Sequence, residues 1–493
     1  MEPRKWDKYK VLLLIIIIIS AFAIRLYYFN LYQGQALWYD EADYLVRAKS
    51  FFLDQLIDAP YLDRKPVIMT SIWSGILALG GTVITIKFFQ VLISVLGVYA
   101  IYLLGKEVKS KELGLIMAAF LSVFWLHLFF SIRVLLDEPT LTTTIFAVLF
   151  FVKWIKSNKL KHALIAGALS SLAMMMFYVP LYLIVIYVLF LLLIKRQKLF
   201  MDKNFWYAIG IYILTFVPLM IWWYVNYGNP LFGFISYHGT SKIVEGYDHG
   251  FFGYLRVIPF ALLTPMFVVF ILGLGKSLLD IFSSFDLIIK RQVKSLDWDL
   301  FFFIWLLLFP LITSTQIVHV EPRYMFPAFV PVFYFMAKFL LFLKTLAEQY
   351  LKNPKVKPFL GVALIVVVLL LSYSQLTYAD AAIEAKSVSF EAEQLAGLWL
   401  KDNMAEDEMF ITCNQAVVFQ YYSERFGYAF GKNETRADGY IEDYHPKFAI
   451  LNAYNADCTF DYFLNETKFT PAQVYFMDPE QTQAVTVIYK VNY

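Results

Sequence analysis

The feature that most restricts the fold of this chain is a series of eleven apolar stretches of 15 to 23 residues. A helix needs about 20 mostly apolar residues to cross the hydrocarbon core of a bilayer. Hydrophobic residues make up 60% of the chain and charged residues only 16%, which is more apolar surface than a soluble core needs. The sequence therefore predicts an α-helical polytopic membrane protein, with spans at 11–29, 83–104, 112–130, 140–154, 162–178, 180–194, 205–226, 256–275, 300–316, 323–345 and 359–377.

Lysine and arginine residues predict the side of the membrane that each loop faces. "RKWDKYK" precedes the first stretch, which lacks a clear signal-cleavage site and is therefore predicted to remain as a span. With a cytosolic N-terminus, the cytosolic segments hold 23 Lys or Arg and the outer loops hold seven. A twelfth, shorter stretch at 66–80 would reverse every later loop if it crossed. We therefore predict that it is a juxtamembrane or re-entrant helix on the outer side.

The composition changes after residue 377. Residues 378–493 are polar and contain an alternating stretch, "AVTVIYKVNY", and a helical one, "EAEQLAGLWLKDNM". We predict a transmembrane domain at 1–377 and a small extracytoplasmic α+β domain at 378–493. Both cysteines, Cys413 and Cys458, fall in the second domain, where either a disulfide or two buried thiols is possible.

Polar residues on the predicted outer face collect in five segments. These are "WYDEADY" at 38–44, "DRKP" at 63–66, "SIRVLLDEPT" at 131–140, "YDHGFFGYLR" at 247–256 and "VEPRY" at 320–324. An Asp-Glu pair occurs twice, each time just beyond the outer end of a predicted span. Four cations lie near the same level: Lys65, Arg133, Arg256 and Arg323. Because charges at this depth are costly unless they are paired or solvated, we predict a polar functional site there.

Each member of this set also has a structural interpretation. The alternatives are helix capping by Asp40 and Glu41, pairing of Arg133 with Asp137, interfacial anchoring by Arg323, and an ordinary loop position for His249. The occurrence of all of them on one predicted face is what favours a site.

The ordered set of motifs resembles the GT-C glycosyltransferases of the protein O-mannosyltransferase and aminoarabinose-transferase type. The resemblance covers roughly residues 10–345 and leaves out the C-terminal domain. It rests on a first apolar helix that carries Arg25, and on "DEADY" at 40–44, "KP" at 65–66, "R-x-L-L-D-E-P" at 133–139 and "EPRYMFPAFVPVF" at 321–333. Where the family often has two prolines, Val67 follows Pro66.

The resemblance implies an inverting glycosyltransferase of the plasma or inner membrane whose transmembrane domain is catalytic. It would move a monosaccharide from a polyprenyl-phosphate donor to a hydroxyl of a protein, lipid or glycan acceptor on the outer side. Its partners would be that donor, membrane lipids and the acceptor, with no nucleic acid.

The same resemblance suggests residue roles. Asp40 is the candidate base for the acceptor hydroxyl, and Asp137 is a second catalytic acid that orients substrate or shares a divalent metal, Mg²⁺ or Mn²⁺, with Asp40. The phosphate leaving group is a weak base, so it needs cations rather than a general acid. The candidate substrate contacts are Glu41, Lys65, Arg133, Glu138, His249, Arg256, Arg323 and Tyr324.

Two other classes of protein compete with this interpretation. A multipass transporter or lipid flippase is expected to place ionisable residues in the middle of its spans, and the predicted spans are nearly free of them. No internal repeat of the kind that builds many transporters is evident. A receptor with an exported sensor domain would not need two acidic loops together with outer arginines.

Overall fold

The structure is a computed structural model that describes residues 3–53, 66–239, 250–284, 297–317, 319–351, 357–453, 460–476 and 483–493. Two of the predicted site residues, Lys65 and His249, lie outside these ranges. Contacts between residues divide the chain into two compact units. The first comprises Met1–Leu31, Asp63–Val67 and Lys87–Glu384, and the second comprises Tyr32–Leu62, Ile68–Ile86 and Ala385–Tyr493. The domain boundary after residue 377 stays a prediction.

Fifteen helices cover the region of the apolar stretches in the described residues. The first twelve are α1 (Pro3–Tyr32), α2 (Tyr39–Phe52), α3 (Val67–Ala78), α4 (Val83–Val108), α5 (Lys111–Val123), α6 (Trp125–Ser131), α7 (Asp137–Ser157), α8 (Leu160–Met176), α9 (Tyr182–Lys195), α10 (Lys203–Tyr227), α11 (Phe232–Gly239) and α12 (Gly250–Ser283). The last three are α13 (Asp297–Gln316), α14 (Phe326–Tyr350) and α15 (Lys357–Glu384). A 3₁₀ turn at Pro322–Met325 leads into α14.

The membrane spans predicted from the sequence are present as helices. Among the described residues, nine helical segments are long and apolar enough to cross a membrane, and α5 with α6 forms a tenth that is bent by 59°. The one remaining predicted span, 162–178, corresponds to α8, which is apolar but has only 17 residues. The stretch at 66–80 forms α3, a shorter apolar helix. The predicted multipass membrane fold is therefore confirmed.

Helix α12 breaks near its middle, where Leu263 has a left-handed φ of 57°. Pro265 has no backbone N–H with which to bond the carbonyl of Ala261, four residues earlier. Trp125 Nε1 donates to that carbonyl at 2.8 Å, and Gln375 Nε2 donates to it at 3.3 Å. Side chains of α6 and α15 thus satisfy a backbone group that lipid could not satisfy.

Helices α4 and α5 approach closely at two glycines. A Cβ atom on Gly105 would lie 2.6 Å from the Cα atom of Gly114. Small residues allow two helix backbones to come this near in a membrane. The contact fixes α5, which continues through α6 towards the second acidic motif.

The second unit contains a five-stranded mixed sheet. Its strands are β1 (Met409–Thr412), β2 (Phe426–Ala429), β3 (Phe448–Asn452), β4 (Phe469–Phe476) and β5 (Ala484–Val491), in the order β2-β1-β3-β5-β4. Strand β1 is parallel to β2 and β3, whereas β5 is antiparallel to β3 and β4. The remaining helices are α16 (Glu391–Asn403), α17 (Ala416–Ser423), α18 (Glu434–Tyr444) and α19 (Phe460–Phe463).

Apolar side chains alternate along the central strands and build a core on each face of the sheet. Ile411 and Leu451 lie in one core, and their neighbours Phe410 and Ile450 lie in the other. Helices cover both faces of such a sheet, so the predicted α+β domain is confirmed. Cys413, in the first core, is disulfide-bonded. The other cysteine in the sequence, Cys458, lies outside the described residues.

Candidate functional site

Three acidic residues lie in α2, and for two of them the structure shows a specific bond within the helix or its cap. Glu41 Oε2 accepts a hydrogen bond from the backbone N–H of Trp38 at 3.0 Å, the reach-back bond of a helix capping box. Asp43 Oδ1 lies 2.9 Å from Arg47 Nε, and both side chains are buried. Asp40 is half-buried in the first turn and makes neither of these bonds. Capping, one of the two interpretations of this motif, therefore applies to Glu41.

The C-terminal domain holds the residues just before α2 and the last turn of α2 within the second unit. The backbone N–H of Leu37 donates to the Tyr422 hydroxyl at 2.8 Å. Glu424 pairs with Lys49 of α2 at 3.0 Å and with Lys401 at 2.7 Å. Burial alone would raise the pKa of Glu424, but the hydrogen bonds from Lys401 and Lys49 outweigh it and lower the pKa. The domain therefore positions the helix that carries the first acidic motif.

The second acidic motif lies in the first unit, where Asp137 and Glu138 form the first turn of α7. Unpaired backbone N–H groups at a helix N-terminus favour negative charge there. The loop before this turn is held by Gln90 of α4, whose Nε2 donates to the carbonyl of Leu135. Asp137 is 8% exposed, whereas Glu138 is fully buried. The carboxylates of Asp137 and Glu138 are therefore adjacent in sequence but differ in their exposure to solvent.

Glu138 belongs to a buried polar network between helices. His127 Nε2 lies 2.8 Å from Glu138 Oε2, and His127 Nδ1 lies 2.5 Å from Arg25 Nη2. Arg25 also donates to Ser94 Oγ at 2.7 Å and to the carbonyl of Ser122 at 2.9 Å. The side chains of Arg25, His127 and Glu138 are completely buried. Helices α1, α4, α5, α6 and α7 are joined by this one set of contacts.

The hydrogen-bonding capacity of each group fixes the protonation of His127. A guanidinium group only donates, so Nδ1 must accept from Arg25 and carries no proton. Nε2 then carries the proton and lies 2.8 Å from Oε2 of the Glu138 carboxylate. The network is a cation, a neutral imidazole and an anion, with no net charge. Such burial is tolerable because each charge has partners.

The 3₁₀ turn before α14 presents Arg323, which is 8% exposed. Its Nε lies 2.6 Å from Glu321 Oε2, and its guanidinium lies over the Tyr324 ring, 5.3 Å from the centroid. His319 Nε2 lies 3.7 Å from the second oxygen of Glu321 and 3.5 Å from the Tyr324 hydroxyl. The hydroxyl of Tyr254 donates to the carbonyl of His319 at 3.4 Å. The turn is thus fixed from both sides.

Three predicted site residues of the first unit, Asp137, Arg323 and Tyr324, meet at one cavity. The cavity has a volume of about 10 Å³, enough for about one water molecule. Its lining comprises Asp137, Thr140, Phe177, Val179, Pro180, Arg323, Tyr324, Phe326 and Pro327. An acid, a cation and apolar side chains therefore line one small cavity at the N-terminal ends of α7 and α14.

Two further predicted residues lie in the same unit. Arg133 is 2% exposed and lies over the Phe129 ring, 5.1 Å from its centroid. Arg256 is exposed on α12, seven residues into the helix. Neither of them lines the cavity that Asp137 and Arg323 share.

Metal binding was predicted only for Asp40 and Asp137. In the ranges that the structure describes, no three His, Cys, Asp or Glu side chains form a group that could hold a metal ion. Asp40 belongs to the second unit and Asp137 to the first. The described residues therefore offer no cage made of protein ligands alone.

Sequence reasoning missed His127 and Glu321. His127 occurs in the apolar run "FWLHLFF" and therefore resembles an ordinary core residue. The available signal was the occurrence of Arg25, His127 and Glu138 within or next to predicted spans, because such groups need partners in a membrane. Nothing in the local sequence pairs His127 with Arg25, which is 102 residues away.

The spans also hold more buried charge than we predicted. Arg25, Lys87 and Asp299 are buried within candidate spans. Asp299 Oδ2 lies 2.7 Å from Lys338 Nζ, and its Oδ1 accepts from the Tyr334 hydroxyl at 2.7 Å. Arg25 and Lys87 lie inside the spans predicted from the sequence, whereas Asp299 immediately precedes the predicted span at 300–316.

Residues 63–222 match the family described as dolichyl-phosphate-mannose-protein mannosyltransferase. No curated protein matches the chain in sequence.

Several solved structures share the fold. ArnT from Cupriavidus metallidurans bound to undecaprenyl phosphate superposes with a TM-score of 0.65 at 12% identity, over 99% of this chain and 98% of that one. The archaeal oligosaccharyltransferase AglB from Archaeoglobus fulgidus was solved in complex with an inhibitory peptide and a dolichol-phosphate. It superposes with a TM-score of 0.61 at 13% identity, over 99% of this chain and 74% of that one. The arabinofuranosyltransferase AftD from Mycobacteria superposes with a TM-score of 0.55 at 11% identity, over 97% of this chain and 41% of that one.

The similarity in fold includes the C-terminal domain, which the sequence motifs did not reach. The structural match to ArnT extends over 99% of this chain. The resemblance in sequence motifs covered only roughly residues 10–345. The fold class and the resemblance predicted from the ordered motifs are both confirmed.

Proposed function

We propose that this chain, which has the fold of the GT-C glycosyltransferases, transfers a monosaccharide from a polyprenyl phosphate to a hydroxyl group on the outer side of the membrane, with inversion at the anomeric carbon. The observation that carries the proposal is the cavity at which Asp137, Arg323 and Tyr324 meet. A cation and a carboxylate at the ends of apolar helices suit a charged headgroup whose lipid tail lies among those helices.

The solved relatives support the chemical class of the donor. ArnT was solved with undecaprenyl phosphate and AglB with dolichol-phosphate. Both ligands are polyprenyl phosphates, which is the leaving group that we propose here. The match of residues 63–222 to the mannosyltransferase family supports the same class. The acceptor that we propose is a hydroxyl of a protein, lipid or glycan.

The proposed chemistry needs few protein groups. Asp40 takes the proton from the acceptor hydroxyl, whose oxygen attacks the anomeric carbon while the bond to the phosphate oxygen breaks. The transition state resembles an oxocarbenium ion. One displacement inverts the anomeric carbon. Asp137 orients the substrate as the second acid.

Cations near the leaving group hold its charge. We propose Arg323 as the principal phosphate contact, because it is nearly buried and faces the same cavity as Asp137. The further proposed contacts are Glu41, Lys65, Arg133, Glu138, His249, Arg256 and Tyr324. The Glu138 carboxylate is engaged with His127, so any effect of Glu138 on substrate would be exerted through the position of α7.

We propose that a divalent ion, Mg²⁺ or Mn²⁺, would be bound jointly by protein carboxylates and the phosphate of the donor. Mg²⁺ in proteins is commonly bound by one or two carboxylates and by substrate phosphates. Asp40 and Asp137 are the proposed protein ligands. Activity that survives chelation would remove the ion from the mechanism.

The experiment for the proposed function uses proteoliposomes of the full chain and polyprenyl phosphates that carry a radiolabelled hexose or aminoarabinose. We expect the label to pass to added acceptor only when donor and acceptor are on the side of the vesicle that exposes the C-terminal domain. A flippase would instead move donor between leaflets without transfer. Movement of intact donor and no labelled product with any acceptor class would overturn the proposal.

Replacement of Arg323 by Ala is expected to raise the KM for the donor by about 10- to 100-fold, since hydrogen bonds to charged groups are worth about 1.5–3 kcal/mol. The KM for the acceptor should change much less. Arg323→Lys, which keeps the charge, should recover part of the loss. Steady-state kinetics with varied donor checks this, and Arg436→Ala, at an exposed position in α18, is the control. An unchanged donor KM for Arg323→Ala would rule out the phosphate contact.

A further inference from the structure

A second cavity of the first unit lies at the ends of the helices opposite to the Asp137 cavity. It has a volume of about 450 Å³, within the range of small-molecule sites. It is formed where α4 gives way to α5, near the end of α12 and in the second half of α14. The site at Asp137 lies instead at the start of α7 and α14, so the two cavities are separate.

Four lysines line this cavity, and three of them have acidic partners. Lys338 Nζ lies 2.7 Å from the buried carboxylate of Asp299 and also bonds Ser277 Oγ at 3.2 Å. Lys276 pairs with Asp280. Lys344 lies 3.6 Å from Glu348, one turn later in α14. The acid of the lining on α5, Glu112, is paired with Lys10.

Lys109 is the exception. It lines the cavity and makes no ion pair or side-chain hydrogen bond to any residue that the structure describes. Desolvation and the nearby charge of Lys338 lower the pKa of Lys109, against the opposing effect of Asp299 and Asp280. An anion in the cavity would offset the repulsion between the two ammonium groups. Ser110, next in the chain, caps the N-terminus of α5, whose dipole also favours negative charge.

The rest of the wall combines the polar residues Ser277, Asp280 and Thr345 with an apolar part on α14. Phe339 and Phe342 line it, and Phe342 is 36% exposed beside the more exposed Leu343. Lys276 Nζ lies over the Phe342 ring, 4.8 Å from its centroid. Charge therefore sits next to an apolar surface that continues along the outside of α14. This is the pattern of a lipid headgroup site with an adjacent place for an acyl chain.

We propose that this cavity binds a phosphate group, held by Lys109 and Lys344 at the end of the bundle that the lysine and arginine distribution predicts to be cytosolic. The phosphate is that of an anionic phospholipid or a free phosphate ion, which share the same chemistry. Cytosolic leaflets are rich in anionic lipids, and each nearby lysine favours them. The site is independent of the proposed sugar transfer.

Native mass spectrometry of the full chain, purified in detergent and incubated with phosphatidylglycerol or phosphatidylcholine, tests the proposal. We expect the protein to retain phosphatidylglycerol in preference to phosphatidylcholine. Lys109→Gln should reduce that retention by about fivefold, and Lys109→Arg should restore it. Lys106→Gln, an exposed lysine in the last turn of α4 that does not line the cavity, should leave retention unchanged.

Inorganic phosphate distinguishes the two sources. If millimolar phosphate alone raises the unfolding temperature of the wild-type chain but not of Lys109→Gln, and phosphatidylglycerol adds nothing, the site takes the free ion. If phosphatidylglycerol is retained and phosphate has no effect, the site takes the lipid headgroup. Equal retention of both lipids together with no effect of phosphate, or equal effects in wild type and Lys109→Gln, would overturn the proposal.

Discussion

Asp40→Asn is expected to lower the rate of sugar transfer about 10²–10⁴-fold, the usual cost of removing a general base. Asparagine has the size of aspartate and bonds similarly, but it cannot take a proton. The structure sharpens this expectation, because the capping bond in α2 comes from Glu41 and the buried ion pair comes from Asp43. The fold of α2 should therefore survive the change. Transfer rates at saturating donor, normalised to folded protein, measure the effect.

Glu41→Gln is the matched control for this experiment. Glutamine at the third helical position can accept the same bond from the Trp38 N–H, since Gln serves there as well as Glu in a capping box. Activity should fall far less than in Asp40→Asn. A folded Asp40→Asn variant that keeps most of its transfer rate would refute the role of Asp40 as base and would leave the fold untouched.

Arg25→Met should destabilise the protein by about 3–5 kcal/mol, because it leaves the buried carboxylate of Glu138 without its cation. Methionine replaces the aliphatic part of the arginine side chain and has neither its charge nor its hydrogen-bond donors. His127 would still lie 2.8 Å from the Glu138 carboxylate, but a neutral imidazole is too little to compensate a buried anion. Unfolding of the purified chain in detergent by a graded denaturant measures the loss. Lys161→Met, at an exposed position in α8, should have little effect.

A second substitution separates charge from packing. Arg25→Met combined with Glu138→Gln removes both charges and should recover at least half of the lost stability, since contacting residues in one network are not additive. If the double variant is instead as unstable as the sum of the two single variants, the network does not act as a charge-balanced unit. In that case the loss in Arg25→Met comes from packing around the long side chain.

Local patterns in the sequence were sufficient to predict the membrane-spanning helices. Each of the eleven predicted spans corresponds to a described helix, to the bent pair α5 and α6, or to the short α8. Apolar length decides whether a helix is stable in a bilayer, and it can be read from consecutive residues. The change of composition after 377 likewise predicted an α+β fold, and the five-stranded sheet lies in that part of the chain. The motif at 66–80 was predicted as a non-spanning helix, and the described α3 is short.

The candidate site was predictable in part. Asp137, Arg323 and Tyr324 were predicted from their motifs and do line one cavity. Arg133 and Arg256 lie in the same unit but do not line it. The roles of Glu41 and Asp43 could not be separated in "DEADY", because both acids are equally compatible with a cap or a pair until the helix start is known.

What the sequence by itself determined is what depends on neighbours along the chain: the spans, their predicted orientation, the acidic motifs and the α+β composition of the C-terminal region. Only the tertiary structure showed that Arg25, His127 and Glu138 form one neutral network, and that Tyr422 and Glu424 hold α2. These contacts join residues 11 to 385 positions apart. The partner of a buried charge is set by how helices pack, and burial makes an unpaired charge costly wherever its partner lies in the sequence.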